Sequence, residues 1–333
     1  MTMMATGSRM NAVVCERPGS PDVLNMGEID KPAVPDDGVL VRVHASSANP
    51  VDLFPLSRMG YISRLMRPQV LGTDFAGTVA SVGKSVTQFH AGDEVFGGAP
   101  GAFAEYLCVG EKGPLARKPA NLTFEQAAAV PVAAITALQA LRDHGRIQRG
   151  QKVLINGASG GVGTFGVQIA RSFGAEVTAI CSTRNVDMVR SIGADTVIDY
   201  TRDDFTRSGQ RYDLMLDIAG SHSLSECRRI LNPTATFVGV GAAALQHLKG
   251  GVRRALGHIV RTRFSSIGGS QKVVALFIAK LNKEDLTVLR ELLEADRVAP
   301  VIDRRYELSG VPEALHYLTE GHARAKIVIN INT

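Results

Sequence analysis

Four glycines, at 157, 160, 161 and 163, fall within the stretch Lys152 to Gly163, KVLINGASGGVG. Glycine lets a backbone turn sharply and approach a ligand closely, so this spacing suits the holding of a phosphate. The apolar run Val153 to Ile155 before the glycines predicts a short buried strand. After them, Val162, Phe165, Ile169, Ala170 and Phe173 recur at helical spacing. Strand, glycine turn and helix start together grip a pyrophosphate, because the N–H groups of a first helical turn favour negative charge. Gly157, Ser159, Gly160, Gly161, Val162 and Gly163 are therefore the candidate phosphate-binding residues. The plain alternative is a glycine-rich turn that only packs a helix on a sheet.

A second strand, Glu176 to Cys181, follows at the distance a dinucleotide-binding unit requires. Its end reads Cys181-Ser182-Thr183-Arg184-Asn185, with no carboxylate until Asp187. An acidic residue there would take the ribose 2′-hydroxyl of NAD. A hydroxyl beside a guanidinium instead suits a 2′-phosphate, to which Arg offers charged, forked hydrogen bonds. Ser182 and Arg184 thus favour NADPH over NADH. A solvated charge at a helix start is the other reading of Arg184.

Such a site needs a sheet to carry it. From Lys152 onward strands are expected near 153–156, 176–181, 196–199, 214–217 and 236–240, with helices between and a sixth strand near 263–267. That alternation predicts a parallel, doubly wound α/β sheet. The preceding half has a different texture. Met10 to Cys15, Val39 to Ala45 and Ala102 to Val109 are β-like and separated by turns, which suggests a compact β-barrel-like unit. Near Thr123 the pattern becomes helical past Leu141, with Thr123 and Gln126 spaced as a capping box. Further on, Lys283 to Ala295 and Val311 to Leu318 predict helices, the second with Ser309 as a cap, and Ala325 to Ile331 a closing strand.

A chain of 333 residues has room for two domains. Its 45% hydrophobic and 21% charged content is that of an ordinary soluble protein. No apolar run approaches the roughly 18 residues of a membrane span, and MTMMATGSRM lacks the apolar core of a signal peptide. Residues 1–9 are expected to be a disordered, tag-like lead-in. Cys15, Cys108, Cys181 and Cys227 are scattered with no CxxC pair, which fits a reducing cytoplasm. A net charge of +5 tolerates anionic partners without demanding nucleic acid.

With these residues assembled, the chain resembles the medium-chain dehydrogenase/reductase superfamily, in particular its zinc-free quinone oxidoreductase-like branch, which includes alkenal and enone reductases. The resemblance rests on Asn49-Pro50-Val51-Asp52, Gly72 to Val79, Gly92 to Gly97, Gly157 to Gly163, Gly193-Ala194-Asp195 with Val197 to Tyr200, and Glu320 to Lys326. It implies a GroES-like β-barrel domain over 10–128 and 271–332, a Rossmann NADP-binding domain over 129–270, and a homodimer. The active site is then expected in the cleft between the domains. The zinc alcohol dehydrogenases of the same superfamily need a Cys where this chain has Asn49 and a His where it has Thr73. Their structural-zinc lobe corresponds to Gly97 to Gly110, which holds only Cys108. No metal site is expected.

Without a metal, hydride transfer from NADPH to a quinone, or to the β-carbon of an enone or enal, is the easier chemistry. By the resemblance, Asn49 is the candidate donor to the developing oxyanion. Asp52 orients its loop, and Tyr61 borders the acceptor or donates a proton. The resemblance also places Thr136 near the nicotinamide or phosphate and Tyr200 near the 2′-phosphate. It directs Lys326 towards the cofactor, and Gly239 completes the cofactor candidates. The basic stretch Leu245 to Arg263 has no acidic residue. It would border the substrate, lie on a membrane surface, or form a solvated face. Two other functions stay open: a structural or RNA-binding relative, as zeta-crystallin is, and a zinc-type alcohol dehydrogenase.

Overall fold

The structure is a computed structural model that describes residues 9–58, 60, 69–240, 270–321 and 323–331. The first half supplies strands β1 (Arg9–Cys15), β2 (Leu24–Asp30), β3 (Gly38–Ala48), β4 (Gln69–Val70), β5 (Asp74–Val82), β6 (Glu94–Gly98), β7 (Tyr106–Gly110) and β8 (Leu115–Arg117). Helices α1 (Phe124–Ala128) and α2 (Pro131–Gln139) follow. Then β9 (Lys152–Asn156), α3 (Gly161–Ser172), β10 (Glu176–Cys181), α4 (Val186–Ser191), β11 (Thr196–Asp199), β12 (Tyr212–Asp217), α5 (Leu224–Arg229), β13 (Leu231–Val240) and β14 (Lys272–Phe277) alternate. The tail adds α6 (Lys283–Glu294), β15 (Ile302–Glu307), α7 (Val311–Thr319) and β16 (Lys326–Asn330). Among the described residues no helix is long and apolar enough to cross a membrane.

Two compact units emerge. One runs through Val132 and takes back Leu281–Glu294 and the chain from Pro300; the other holds Ala133–Lys280 with Ala295–Ala299. In the first, a seven-stranded sheet has the order β15-β16-β3-β5-β6-β8, with β7 also on β3. A three-stranded sheet, β2-β1-β4, accompanies it. Val39, Val41 and Val43 alternate inward along β3 and meet Phe75, Phe103, Leu115, Ile327 and Ile329, all essentially buried. Alternation puts one face of each strand into this core and leaves the other for polar residues.

The second unit is a six-stranded sheet of order β11-β10-β9-β12-β13-β14, and its pairings are parallel. This is the doubly wound order predicted from the alternation. Its central strand β9 is shielded from solvent on both faces: Val153, Leu154 and Ile155 are each 0% exposed. A strand covered on both sides reads as an unbroken apolar run, as this one does.

One expectation gains detail, one changes and one falls outside the described residues. The helical stretch after Thr123 is two helices, broken before Pro131, which lacks the N–H that continuation needs. The capping box itself is formed, with Thr123 Oγ1 accepting from Gln126 N at 3.2 Å and Gln126 Oε1 accepting from Thr123 N at 2.9 Å. Ser309 does not cap α7. It sits inside a 3₁₀ turn, Leu308–Gly310, so that Gly310 occupies the cap position without a side-chain bond. The strand expected at 263–267 lies outside the described residues. The sheet's sixth strand is β14, so the chain after residue 270 first serves the parallel sheet.

Phe75 is fully buried in the first core. Phe75→Ala is expected to cost about 3–5 kcal/mol through lost burial and the cavity left behind. Chemical denaturation followed by circular dichroism would show the lowered midpoint.

Candidate functional site

In the parallel-sheet unit, β9 ends at Asn156 and the glycine loop begins. Gly157 has φ +89°, and a Cβ on Gly163 would stand 2.1 Å from the Gly157 carbonyl oxygen. A side chain at 163 would therefore force the loop open, which is the reason for glycine there. Gly160 is the N-cap of α3, and no side chain caps that end. A Cβ on Gly160 would meet only the Gly157 carbonyl, at 3.6 Å, so the outer side of the loop is open. The first-turn N–H groups of Gly161, Val162 and Gly163 have no acceptor within the helix and lie at this uncapped end of α3.

Buried side chains hold this loop. Asn156 donates to Asp217 Oδ1 at 2.8 Å and to Ser221 Oγ at 3.1 Å, while Gly220 N donates to the same Asp217 oxygen at 3.0 Å. These bonds lock the turns after β9 and β12 together. Neighbouring Asn185 is 4% exposed and donates to Ser159 Oγ at 3.0 Å and Ser182 Oγ at 3.2 Å. Its Oδ1 has no donor among the described residues. A buried, unsatisfied acceptor beside an open phosphate loop is what a hydroxyl-bearing nucleotide would complete. The loop residues thus fit a dinucleotide.

Ser182 is half-buried, Arg184 is exposed, and Tyr200 is 59% exposed. The β10–β11 register sets Cys181 opposite Asp199 and so brings a carboxylate to this strand end. Sequence reasoning missed it because Asp199 belongs to the next strand. Asp199 accepts from Thr183 Oγ1 at 2.5 Å and Thr201 Oγ1 at 2.8 Å, with Arg202 at 3.5 Å. The Thr183 bond, first among these contacts, holds its carboxyl below the ordinary range. Gly239 lies in β13 opposite Asp217, and Thr136 is buried in α2.

In the other unit, a buried polar cluster gathers around Asp74, which is 0% exposed. Its Oδ2 accepts from Ser47 Oγ at 2.7 Å, Asn49 Nδ2 at 2.9 Å and Lys326 Nζ at 3.3 Å; its Oδ1 accepts from Val132 N at 2.8 Å. Lys326 Nζ also donates to Asn49 Oδ1 at 2.6 Å. The second Asn49 amide hydrogen goes to the Ser47 carbonyl, at 3.1 Å. Both Asn49 amide hydrogens have partners inside the protein, where the sequence reading directs one to a substrate oxyanion. Lys326 likewise ends on Asn49 and Asp74, not on a solvent-facing site. Asp52 accepts from Asn49 N at 2.8 Å at the start of the turn Pro50–Leu56. Its other oxygen accepts from Thr73 Oγ1 at 2.8 Å. Burial, reinforced by the Asp74 charge, pushes the Asp52 carboxyl up to about 7. Tyr61 and the basic stretch 245–263 lie outside the described residues.

Comparison with known proteins gives two family matches. The family description "Alcohol dehydrogenase GroES-like domain" matches residues 35–120, and "Zinc-binding dehydrogenase" matches residues 192–329. The chain is 32% identical to the mitochondrial NAD(P)H oxidoreductase RTN4IP1 of Mus musculus, covering 88% of this chain and 81% of that one. It is 33% identical to 2-methylene-furan-3-one reductase of Solanum lycopersicum, over 99% of this chain and 81% of that one. The solved quinone oxidoreductase of Coxiella burnetii superposes with a TM-score of 0.84 at 28% identity, covering 98% of this chain and 100% of that one.

The position of Asp52 has a pH signature. Its folded-state value, about 7, lies above its ordinary 3.8. Between those values the folded protein holds a proton that the unfolded chain releases. Stability from this group is therefore full below about pH 4 and is lost as pH rises to about 7. Asp52→Asn lacks this dependence. The wild-type minus variant difference is expected to fall by about 1.4 kcal/mol per pH unit crossed in that window. Urea unfolding of both proteins at pH 4.5 to 8 (about those limits) measures it.

Proposed function

The chain belongs to the medium-chain dehydrogenase/reductase superfamily as an NAD(P)H-dependent oxidoreductase, and from that premise we propose that it is a zinc-independent reductase that uses NADPH to reduce a quinone or an α,β-unsaturated carbonyl. The carrying observation is the open glycine loop joined to the Ser182–Arg184 strand end. When bound, the nicotinamide would supply hydride, and the protein's task is to hold it and the acceptor in register.

Gly160 to Gly163 would take the pyrophosphate on backbone N–H groups at the start of α3. Ser182 and Arg184 would take the 2′-phosphate, with Tyr200 at its side. Asp199 is a like charge to that phosphate, but it is already held by two threonine hydroxyls and Arg202. Asn49 and Thr73 favour the zinc-free reading. An amide and a hydroxyl are poor zinc ligands beside thiolate and imidazole, and here both are hydrogen-bonded to carboxylates. The substrate class follows from similarity to 2-methylene-furan-3-one reductase and to a quinone oxidoreductase. Residence in the cytoplasm is supported by four free cysteines, of which Cys15, Cys181 and Cys227 are buried. Burial pushes the Cys181 thiol up to about 11 and the Cys227 thiol to about 12, which keeps them unreactive.

Steady-state kinetics with a panel of quinones, enones and enals tests the reading. NADPH is expected to be oxidised with at least one class and to be preferred over NADH. Arg184→Ala should raise KM for NADPH by about 10- to 100-fold, the worth of a charged hydrogen bond, and leave KM for NADH nearly unchanged. Equal use of both cofactors by the wild type would overturn the NADPH assignment.

A further inference from the structure

A hydroxyl can donate to a phosphate only if its single hydrogen is not already given to a neighbour. At the end of β10 two kinds of hydroxyl lie close together. Thr183 gives its hydrogen to Asp199 Oδ2 at 2.5 Å, and Thr201 gives its hydrogen to Asp199 Oδ1 at 2.8 Å. Neither threonine has a hydrogen left for a ligand. Ser159 and Ser182 are in the opposite state. Each Oγ accepts an amide hydrogen from Asn185 Nδ2, at 3.0 and 3.2 Å. Among the described residues neither serine has an acceptor for its own hydroxyl hydrogen. Both serines are partly exposed, whereas Asn185 is 4% exposed.

The backbone explains how one amide reaches both. Asn185 N donates to the Ser182 carbonyl at 2.9 Å, across the 3₁₀ turn Thr183–Asn185. Ala158 N donates to the Ile180 carbonyl at 3.0 Å and holds the glycine loop against β10. Ser159 thereby comes beside Asn185, although 26 residues separate them. With both Nδ2 hydrogens in use, Asn185 Oδ1 is left buried without a donor among the described residues.

Resting on the NADPH reading above, we propose that Asn185 is a positioning residue that sets two serine hydroxyls as ready donors to two separate phosphate groups of the cofactor, Ser159 to the pyrophosphate and Ser182 to the 2′-phosphate. Asn185 itself touches no phosphate. Its amide occupies one lone pair of each serine oxygen, so each hydroxyl hydrogen must find its acceptor elsewhere, and an anionic oxygen supplies one. A single buried amide then couples the loop that takes the pyrophosphate to the strand end that tells NADPH from NADH. Part of the preference for NADPH therefore resides in a side chain that carries no charge.

Isothermal titration of the full-length protein with NADPH and with NADH tests this without an acceptor substrate. Asn185→Ala releases both serine hydroxyls, and Asn185→Asp keeps the side-chain shape but draws both hydroxyl hydrogens onto its carboxylate. The Kd for NADPH should rise about 10-fold in Asn185→Ala and about 100-fold in Asn185→Asp, the scale of charge-assisted hydrogen bonds. For NADH, which has no 2′-phosphate, Asn185→Ala should raise Kd by about threefold at most. Ser182→Ala should raise the Kd for NADPH about 10-fold in the wild type, yet less than about twofold in either Asn185 background, because the hydroxyl there is no longer set to donate. A purely structural role gives another pattern, with additive Ser182→Ala losses and equal losses for the two cofactors. Either result overturns the proposal, as does wild-type affinity for NADPH in both Asn185 variants. Asn185→Asp, isosteric with the wild type, carries the test if Asn185→Ala fails to fold. A wild type that binds the two cofactors equally, or neither, overturns the NADPH reading on which the proposal rests.

Discussion

Asp74 imposes the main constraint on the first unit. A carboxylate with no exposure must have its desolvation offset by donors and a cation, or it would destabilise the fold by several kcal/mol. Ser47 from β3, Asn49 from the following turn, Val132 N from α2 and Lys326 from β16 all converge on it. Meeting that demand joins segments far apart in the chain. It also gives the Asn49 and Lys326 side chains their partners. Groups that look available for substrate or cofactor are already committed to a neighbour.

The parallel-sheet unit solves a different problem with different means. The pyrophosphate would bring negative charge, and the glycine loop meets it with backbone N–H groups and no side-chain cap at the start of α3. Rigidity then has to come from behind the loop. Asn156, Asp217 and Gly220 supply it by tying the ends of adjacent strands together. Asp217 is ordinary in the sequence and gains its importance from the β9–β12 pairing.

What the sequence reveals follows the range of each interaction. The Thr123–Gln126 box spans three residues and was readable, as were the glycine loop, the strand–helix alternation and most strand positions. The Asp74–Lys326 bond spans 252 residues and left no local trace. Asp199 was hidden for a related reason: its place beside Ser182 comes from a parallel register, and residues of neighbouring strands share no sequence spacing. Family likeness marked Asn49 and Lys326 as important. Their roles depend on where each hydrogen points, which only coordinates give.

Asp52 and Asp74 show how one cluster keeps two carboxylates distinct. Asp74 receives four donors, one of them an ammonium. Asp52 receives two, a backbone N–H and a threonine hydroxyl, and lies within reach of the Asp74 charge. With fewer donors and no cation in direct contact, burial dominates at Asp52 and favours its protonated form. Burial with few donors is how a fold raises one carboxyl towards neutral pH while its neighbour is amply paired. The fully paired Asp74 is thus a condition for the behaviour of Asp52: remove its partners, and the charge that helps hold the Asp52 proton loses its position.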